Sequence, residues 1–358
     1  MSMTVEIAGR RVGPGEPVYV IAELSANHGQ DLGRAVELVH VAADAGADAV
    51  KLQTYTPDTL TLDSDAPPFV VGDGTLWAGR TLHDLYQEAM TPWEWYEPLA
   101  RAAAEAGIHL FSTPFDDTAV DFLEKFDPPA YKIASFELVD LSLIRYVAER
   151  GRPMIMSTGM ATAEEIDEAV ATARQGGAEQ LVLLRCNSAY PAEPEEMDLR
   201  TIPAMAERWR VPIGLSDHTL SNTAAVAAVT LGATVLEKHM TLRRDDPGPD
   251  SAFSLEPREL TDLIAAVREA EAAVGHVRFG PSPREEPSRA FRRSLFVVAD
   301  VKAGDELTPE NVRSIRPAHG LAPKHLGEVL GRRAAVDIAR GTPLDWSLLS
   351  RASRTATR

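Results

Sequence analysis

The chain alternates short apolar runs with longer stretches in which apolar residues recur at helical spacing. Runs at 18–22 (VYVIA), 49–53 (AVKLQ), 108–112 (IHLFS), 130–133 (AYKI), 154–157 (MIMS), 181–184 (LVLL), 213–215 (IGL) and 235–237 (VLE) read as strands. Between them, 35–45, 93–106, 118–125, 141–149, 163–174, 222–231 and 257–274 carry the period of an amphipathic helix. Gly46, Gly107, Gly151 and Gly232 stand where such helices stop. Near-continuous apolar strands that alternate with helices call for a parallel sheet covered by helices. Eight such units over about 250 residues predict an α/β fold, a closed (β/α)8 TIM barrel. An open doubly wound sheet is the competing architecture. No GxGxxG follows the first strand, which weakens its dinucleotide-binding form.

Two stretches break the alternation. Residues 63–90, after the second strand, are an insertion rich in Gly, Pro and aromatics, and long insertions in compact domains serve as lids or binding loops. After Gly275 the composition shifts. Residues 276–289 (HVRFGPSPREEPSR) read as a linker, 290–350 as a small β-rich unit, and 351–358 as a disordered tail, which leaves 1–275 for the barrel. A unit of roughly 60 residues is marginal alone and is expected to pack against another surface.

Composition narrows the partners. Hydrophobic residues make up 44% of the 358 and charged residues 25%, as in a globular protein with a full core. The formal net charge of −17 repels nucleic acid and anionic membranes, so neither is an expected partner. It also repels anionic substrates at long range, so a phosphate site must rest on local Lys, Ser and backbone groups. Cys186 is the one cysteine, which excludes an intramolecular disulfide and points to a reducing compartment. With no apolar signal core in residues 1–17, the expected location is cytoplasmic.

In a TIM barrel the active site lies where strands end and βα loops begin. Here each strand end carries polar residues: Glu23, Asn27 and His28; Lys51 and Gln53; Thr113 and Asp116; Lys132, Ser135 and Glu137; Ser157 and Thr158; Ser188 and Tyr190; Ser216, Asp217 and His218; Glu237, Lys238 and His239. Lys51 and Lys132 sit inside apolar runs, where an unpaired ammonium is costly. They need an anionic partner: a substrate phosphate and carboxylate ringed by Thr113, Ser135, Ser157 and Ser216, or a barrel glutamate such as Glu23 or Glu137. His218 and His239 end neighbouring strands and can meet at one divalent metal, with Glu23 or water completing the site. Cys186 ends a buried strand and reads as structural.

Together these motifs resemble the sialic acid synthase family: IAELSANH (21–28), GADAVKLQTY (46–55), FSTPFD (111–116), YKIAS (131–135), STGMAT (157–162), CNSAYPA (186–192), GLSDHT (214–219), EKHMTL (237–242) and GPDSAFSLEP (248–257). The segment 292–317 is similar to the antifreeze-like (SAF) domain of that family. The insertion LWAGRTLHDLYQEAMTPWEWY (76–96) resembles the pseudaminic acid branch, and Ser188 stands where the N-acetylneuraminate branch usually has Asn. The resemblance implies a transferase that condenses phosphoenolpyruvate with an amino sugar, a diacetamido trideoxy-altrose, to give a nine-carbon acid. Legionaminate or N-acetylneuraminate formation is the same chemistry on another sugar, and a sugar-binding protein with an inactive barrel is the non-enzyme reading.

By that resemblance Lys51, Thr113, Lys132, Ser135, Ser157, Ser188 and Ser216 hold phosphoenolpyruvate. His218 and His239 bind Mn2+, or Mg2+ or Co2+. Gln53, Glu137, Tyr190, Asp250 and Arg316 contact the sugar, and the catalytic set is Glu23, Lys51, Lys132, His218 and His239. The resemblance further implies a domain-swapped homodimer in which Arg316 reaches the other subunit's site.

Overall fold

In the computed structural model, which describes residues 3–350, eight parallel strands close into a barrel. They are β1 (Tyr19–Glu23), β2 (Ala49–Thr54), β3 (His109–Pro114), β4 (Tyr131–Ile133), β5 (Met154–Ser157), β6 (Leu181–Cys186), β7 (Ile213–Asp217) and β8 (Val235–His239). Each pairs with its sequence neighbour, and β8 closes on β1 with His239 opposite Glu23. The barrel is the expected one; the open-sheet alternative is excluded by that closure.

Strand side chains alternate between two faces. Val20, Ala22, Val50, Leu52 and Leu110 join the large outer cluster with the surrounding helices. Tyr19, Ile21, Ala49, Phe111, Ile155, Val182, Leu184 and Val235 form a separate cluster inside the barrel. Val5, Ile7 and Val12 belong to this inner cluster. They come from an antiparallel hairpin, Val5–Ile7 with Arg10–Val12, that the strand reading did not anticipate. Three-residue strands are too short to show a period.

The inner face changes character along every strand. Ile21 is followed two residues on by Glu23, Ala49 by Lys51 and Gln53, Phe111 by Thr113, Ile155 by Ser157, Leu184 by Cys186, and Val235 by Glu237 and His239. The barrel is therefore an apolar plug below and a ring of polar groups above. Gly214 lies on this face because a Cβ there would stand 2.4 Å from the Val235 carbonyl.

Helices follow as expected, with ends set by capping. Asp31, Asp140 and Thr162 accept hydrogen bonds from the first turns of Leu32–Asp44, Leu141–Ala148 and Ala163–Gln175. Asp116, a strand-end candidate, caps Asp117–Leu123. Besides the four-residue helices Pro57–Leu60 and Leu326–Val329, two longer helices were not anticipated. Thr201–Trp209 begins without a side-chain cap and so gives no start signal. The insertion, read as a loop, folds into a helix over Leu82–Ala89 capped by Thr81, with an antiparallel bridge from Val70 to Thr81.

The chain divides into two units, Met1–Gly275 and His276–Arg358. The second has its own core of Leu295, Val297, Val301, Leu307, Val312, Ile338 and Leu344. Its ordered centre is the antiparallel pair β9 (Ser294–Val297) and β10 (Val312–Ile315). The tail 351–358 lies outside the described residues. Among the described residues no helix is long and apolar enough to cross a membrane.

Candidate active site

The polar ring surrounds a cavity of about 390 Å³, within the size range of small-molecule sites. Lys51, Gln53, Lys132, Ser135, Glu137, Ser157, Tyr190, Ser216, His218, His239 and Asp250 all line it. These residues span two hundred positions of sequence, from 51 to 250, and the barrel alone makes them neighbours.

Four ionisable groups underlie it: Lys51, Lys132 and Glu237 line the cavity, and Glu23 lies one contact behind Lys51. Lys51 Nζ stands 2.5 Å from Glu23 Oε2, 3.9 Å from Glu237 Oε1 and 3.2 Å from Thr113 Oγ1. Lys132 Nζ lies 3.6 Å from Glu237 Oε1 and donates to its neighbour's carbonyl at Ile133. All four side chains are at most 5% exposed. Burial opposes the charge on Lys51, but Glu23 and Glu237 outweigh it and hold the ammonium's pKa up. Burial dominates at Lys132, whose pKa is lowered. Glu237 feels burial too, yet Lys132 and Lys51 bring it below the usual carboxylate range. The lysines do have barrel carboxylate partners, but they are Glu23 and Glu237, not Glu137.

Glu237 was named at a strand end and given no role. The signal was present: it precedes His239 by two residues and so shares its face. A chain of contacts leaves Glu23 on the other side. Gln53 Nε2 donates to Glu23 Oε1 at 3.0 Å and to Ser25 Oγ at 3.2 Å, and Ser25 donates to Asp250. Burial raises the pKa of Asp250 and lifts that of Glu137 to about 7.

The histidines meet. Their ring centroids are 5.2 Å apart, and Tyr190 packs 4.3 Å from His218. His218 Nδ1 faces the Asn187 carbonyl at 2.7 Å and so carries a hydrogen; burial works against a charge on this ring, but Cys186 and the Asn187 carbonyl outweigh it and raise its pKa. His239 is buried, neutralised first by desolvation and then by His218, and its Nδ1 has no partner. Ser157 Oγ and one oxygen each of Glu137 and Glu237 are likewise buried without hydrogen bonds. Buried polar atoms are satisfied in all but a few cases, so a cluster of exceptions in one cavity marks a place for ligand atoms.

Some candidates stand elsewhere. Asn27 donates to the Met240 carbonyl and to Ser254, Thr158 to the Leu184 carbonyl, and Lys238 pairs with Asp217 at 2.8 Å behind the strands. His28 packs against Trp95 and Thr91, and burial lowers its pKa to about 4. Thr113 and Ser188 lie one contact back from the cavity, through Lys51 and Cys186. A Cβ on Gly159 would stand 2.2 Å from Ser188 Oγ, so a glycine there lets the two loops close. Arg316 is exposed and belongs to the second unit. Cys186 lines the cavity; burial raises its thiol pKa, but His218, Ser135 and Ser188 outweigh this and bring it to about 7.

A closed parallel barrel whose polar strand ends line one cavity has the architecture of a barrel enzyme. The NeuB family model matches residues 38–279 and the SAF domain model 292–350, so the chain belongs to the NeuB family. It is 44% identical to the pseudaminic acid synthase of Campylobacter jejuni serotype O:23/36 over 92% of this chain and 96% of that one. The pseudaminic acid synthase of Helicobacter pylori is 42% identical over 92% of this chain and 97% of its own. The crystal structure of the Bacillus subtilis spore coat polysaccharide biosynthesis protein SpsE matches with a TM-score of 0.67 and 33% identity, covering 98% and 99% of the two chains.

Proposed function

We propose that this chain condenses phosphoenolpyruvate with 2,4-diacetamido-2,4,6-trideoxy-altrose and water, giving pseudaminic acid and phosphate. The observation that carries the reading is the cavity itself: it is lined by two buried lysines and by Ser135, Ser157 and Ser216, and several buried polar atoms of its lining have no hydrogen-bond partner. Relatives at 42% and 44% identity with matching length favour this sugar.

Lys51, Lys132, Ser135, Ser157 and Ser216 would hold the phosphate and carboxylate of phosphoenolpyruvate, with Thr113 and Ser188 supporting the lysine and the Gly159 loop. Gln53, Glu137, Tyr190 and Asp250 would orient the sugar so that its aldehyde faces the enol carbon. The enol π pair forms the new bond as the aldehyde C=O π bond opens; its oxygen becomes an alkoxide that takes a proton to end as a hydroxyl, and positive charge is left on the phosphate-bearing carbon. Glu23, held by Lys51 and Gln53, takes the proton of the water that adds there. Cleavage of the C–O bond then releases phosphate. Most of the rate gain is positioning and charge stabilisation.

A divalent metal fits His218 and His239: the rings stand 5.2 Å apart, His239 is held neutral with Nδ1 unpartnered, and His218 keeps Nε2 clear of the Asn187 contact, where a metal would take the place of a proton. Among the described residues no third His, Cys, Asp or Glu joins them, so Glu23 does not complete the set and water or substrate oxygens would. Bound there, Mn2+ (or Mg2+ or Co2+) would supply Lewis-acid polarisation of the aldehyde. The enzyme would act as a cytoplasmic homodimer in which Arg316 of one protomer completes its partner's sugar site. Phe136, Val139 and Met160, each about 60% exposed in loops after β4 and β5, fit a mouth that another surface covers.

Mass analysis of the product from phosphoenolpyruvate and the diacetamido trideoxy sugar tests the reading. The nine-carbon acid should appear with one equivalent of phosphate. Phosphate release with N-acetylmannosamine but not with the diacetamido sugar would overturn the substrate assignment.

A further inference from the structure

Ser25 is buried in a backbone conformation that suits glycine. It opens the short helical turn Ser25–His28 after β1 with φ at +46°, in the left-handed region that a side chain disfavours. Among the described residues six others that are not glycine have a positive φ, and all six are exposed. Ser25 is 2% exposed. A glycine would relax this turn, so what the serine adds here is its side chain.

The hydroxyl has two partners. It donates to the Asp250 carboxylate and accepts from Gln53 Nε2 at 3.2 Å. The other N–H of the same amide goes to Glu23 Oε1 at 3.0 Å. The one hydroxyl hydrogen is committed to Asp250, so toward Gln53 the oxygen can only accept. The amide therefore cannot turn over without setting its own oxygen against both Ser25 and the Glu23 carboxylate. Glu23 Oε2 faces Lys51 at 2.5 Å, so with Oε1 held by Gln53 the plane of the carboxylate is fixed from both sides.

We propose that Ser25 is a positioning residue of the condensation: through Gln53 it sets the plane of Glu23, and with the same hydroxyl it holds Asp250 at the cavity. This deepens the synthase reading and rests on it. Ser25 stands behind the residues that line the cavity and acts only through its two partners.

Ser25→Gly is the test, because glycine keeps the turn, relieves its backbone and removes the hydroxyl. Phosphate release is measured over a range of phosphoenolpyruvate with the diacetamido sugar saturating, beside thermal melts. The expected result is a kcat lower by about 10- to 100-fold, the loss that slight misplacement of a reacting group brings, with KM for phosphoenolpyruvate unchanged. Tm should stay within about 4 °C of the wild type, since the lost hydrogen bonds and the relieved backbone offset each other. Gln53→Ala should lower kcat as well, and adding Ser25→Gly to it should cost no more than about a further twofold, because the two residues act as one network. A wild-type kcat in Ser25→Gly overturns the inference and leaves the synthase reading standing. So does a Tm that falls further than this, a rise in KM for phosphoenolpyruvate as large as the fall in kcat, or losses that multiply in the double variant. A wild-type enzyme that releases no phosphate with this sugar overturns that reading, and the inference with it.

Discussion

Replacing Lys132 separates a lysine that holds substrate from one that merely balances a buried glutamate. Its ammonium is 2% exposed and lies 3.6 Å from Glu237, whose second oxygen has no hydrogen-bond partner. Lys132→Met keeps the aliphatic stem and leaves Glu237 under-compensated, a loss of about 3–5 kcal/mol when a buried pair is broken from one side. For a barrel of this size that corresponds to a fall in Tm of roughly 6–20 °C. Lys132→Met with Glu237→Gln removes both charges and should recover most of the fall, because neutral replacement of a whole buried pair is often harmless. Affinity for phosphoenolpyruvate should not recover. A charge-assisted contact contributes about 2–3 kcal/mol, or roughly 30- to 140-fold in KM. Thermal melts and a phosphate-release assay over a range of phosphoenolpyruvate concentrations read the two effects separately. A double variant that regains both Tm and KM would show that Lys132 exists for Glu237 and would remove it from the substrate site.

Three further outcomes are expected. His239→Ala should weaken Mn2+ binding, followed by titration of the protein alone, by at least about tenfold, and unaltered binding would remove the metal from this histidine. Burial lifts Glu137 to about 7, so the folded state holds its proton more tightly than the unfolded chain. Its contribution to stability is therefore full below the unfolded value near 4.5 and is lost as pH rises through 7. Tm measured against pH should fall over that window in the wild type and more shallowly in Glu137→Gln; parallel curves would place Glu137 outside the buried network. Arg316→Ala and Lys51→Ala, each inactive, should regain activity when mixed as heterodimers, since one of the two sites then has both residues; absence of recovery favours action within one protomer.

What the sequence made legible follows from what strand parity and strand ends encode. Lys51, Lys132, Ser157 and His239 could be placed because each closes an apolar run, and apolar runs mark the strands. Glu237 shows the limit: it was visible at a strand end, but its role depends on Lys51 and Lys132, which reach it from other strands across the barrel. The same holds for the Asp250–Ser25–Gln53–Glu23 chain, whose members are up to 227 residues apart between Asp250 and Glu23. Asp116 and Asn27 misled because capping and loop-holding roles draw on the same residue types as catalysis. Trp77 could be seen only as part of an aromatic-rich insertion, since its place in the cavity lining depends on a bond to Pro249, 172 positions away.

The ring read from sequence as cations and hydroxyls is, in three dimensions, close to electrically balanced. Glu23 and Glu237 stand against Lys51 and Lys132; burial works against the charge on Glu23 and on Lys132 alike, and His239 is held neutral. A phosphate and a carboxylate entering this cavity cannot draw on a net positive floor, and the net charge of −17 offers no attraction from afar. Balance has a physical reason: an uncompensated ammonium pair at this depth would lose its protons or destabilise the barrel before substrate arrived. Glu23 and Glu237 hold Lys51 charged, whereas burial works against the charge on Lys132, and a lysine so paired must be shared with the ligand. The deficit must be met by hydroxyl dipoles at Ser135, Ser157 and Ser216 and by cations that arrive with the ligands. In the proposed reading, a metal at the two histidines would be one such cation.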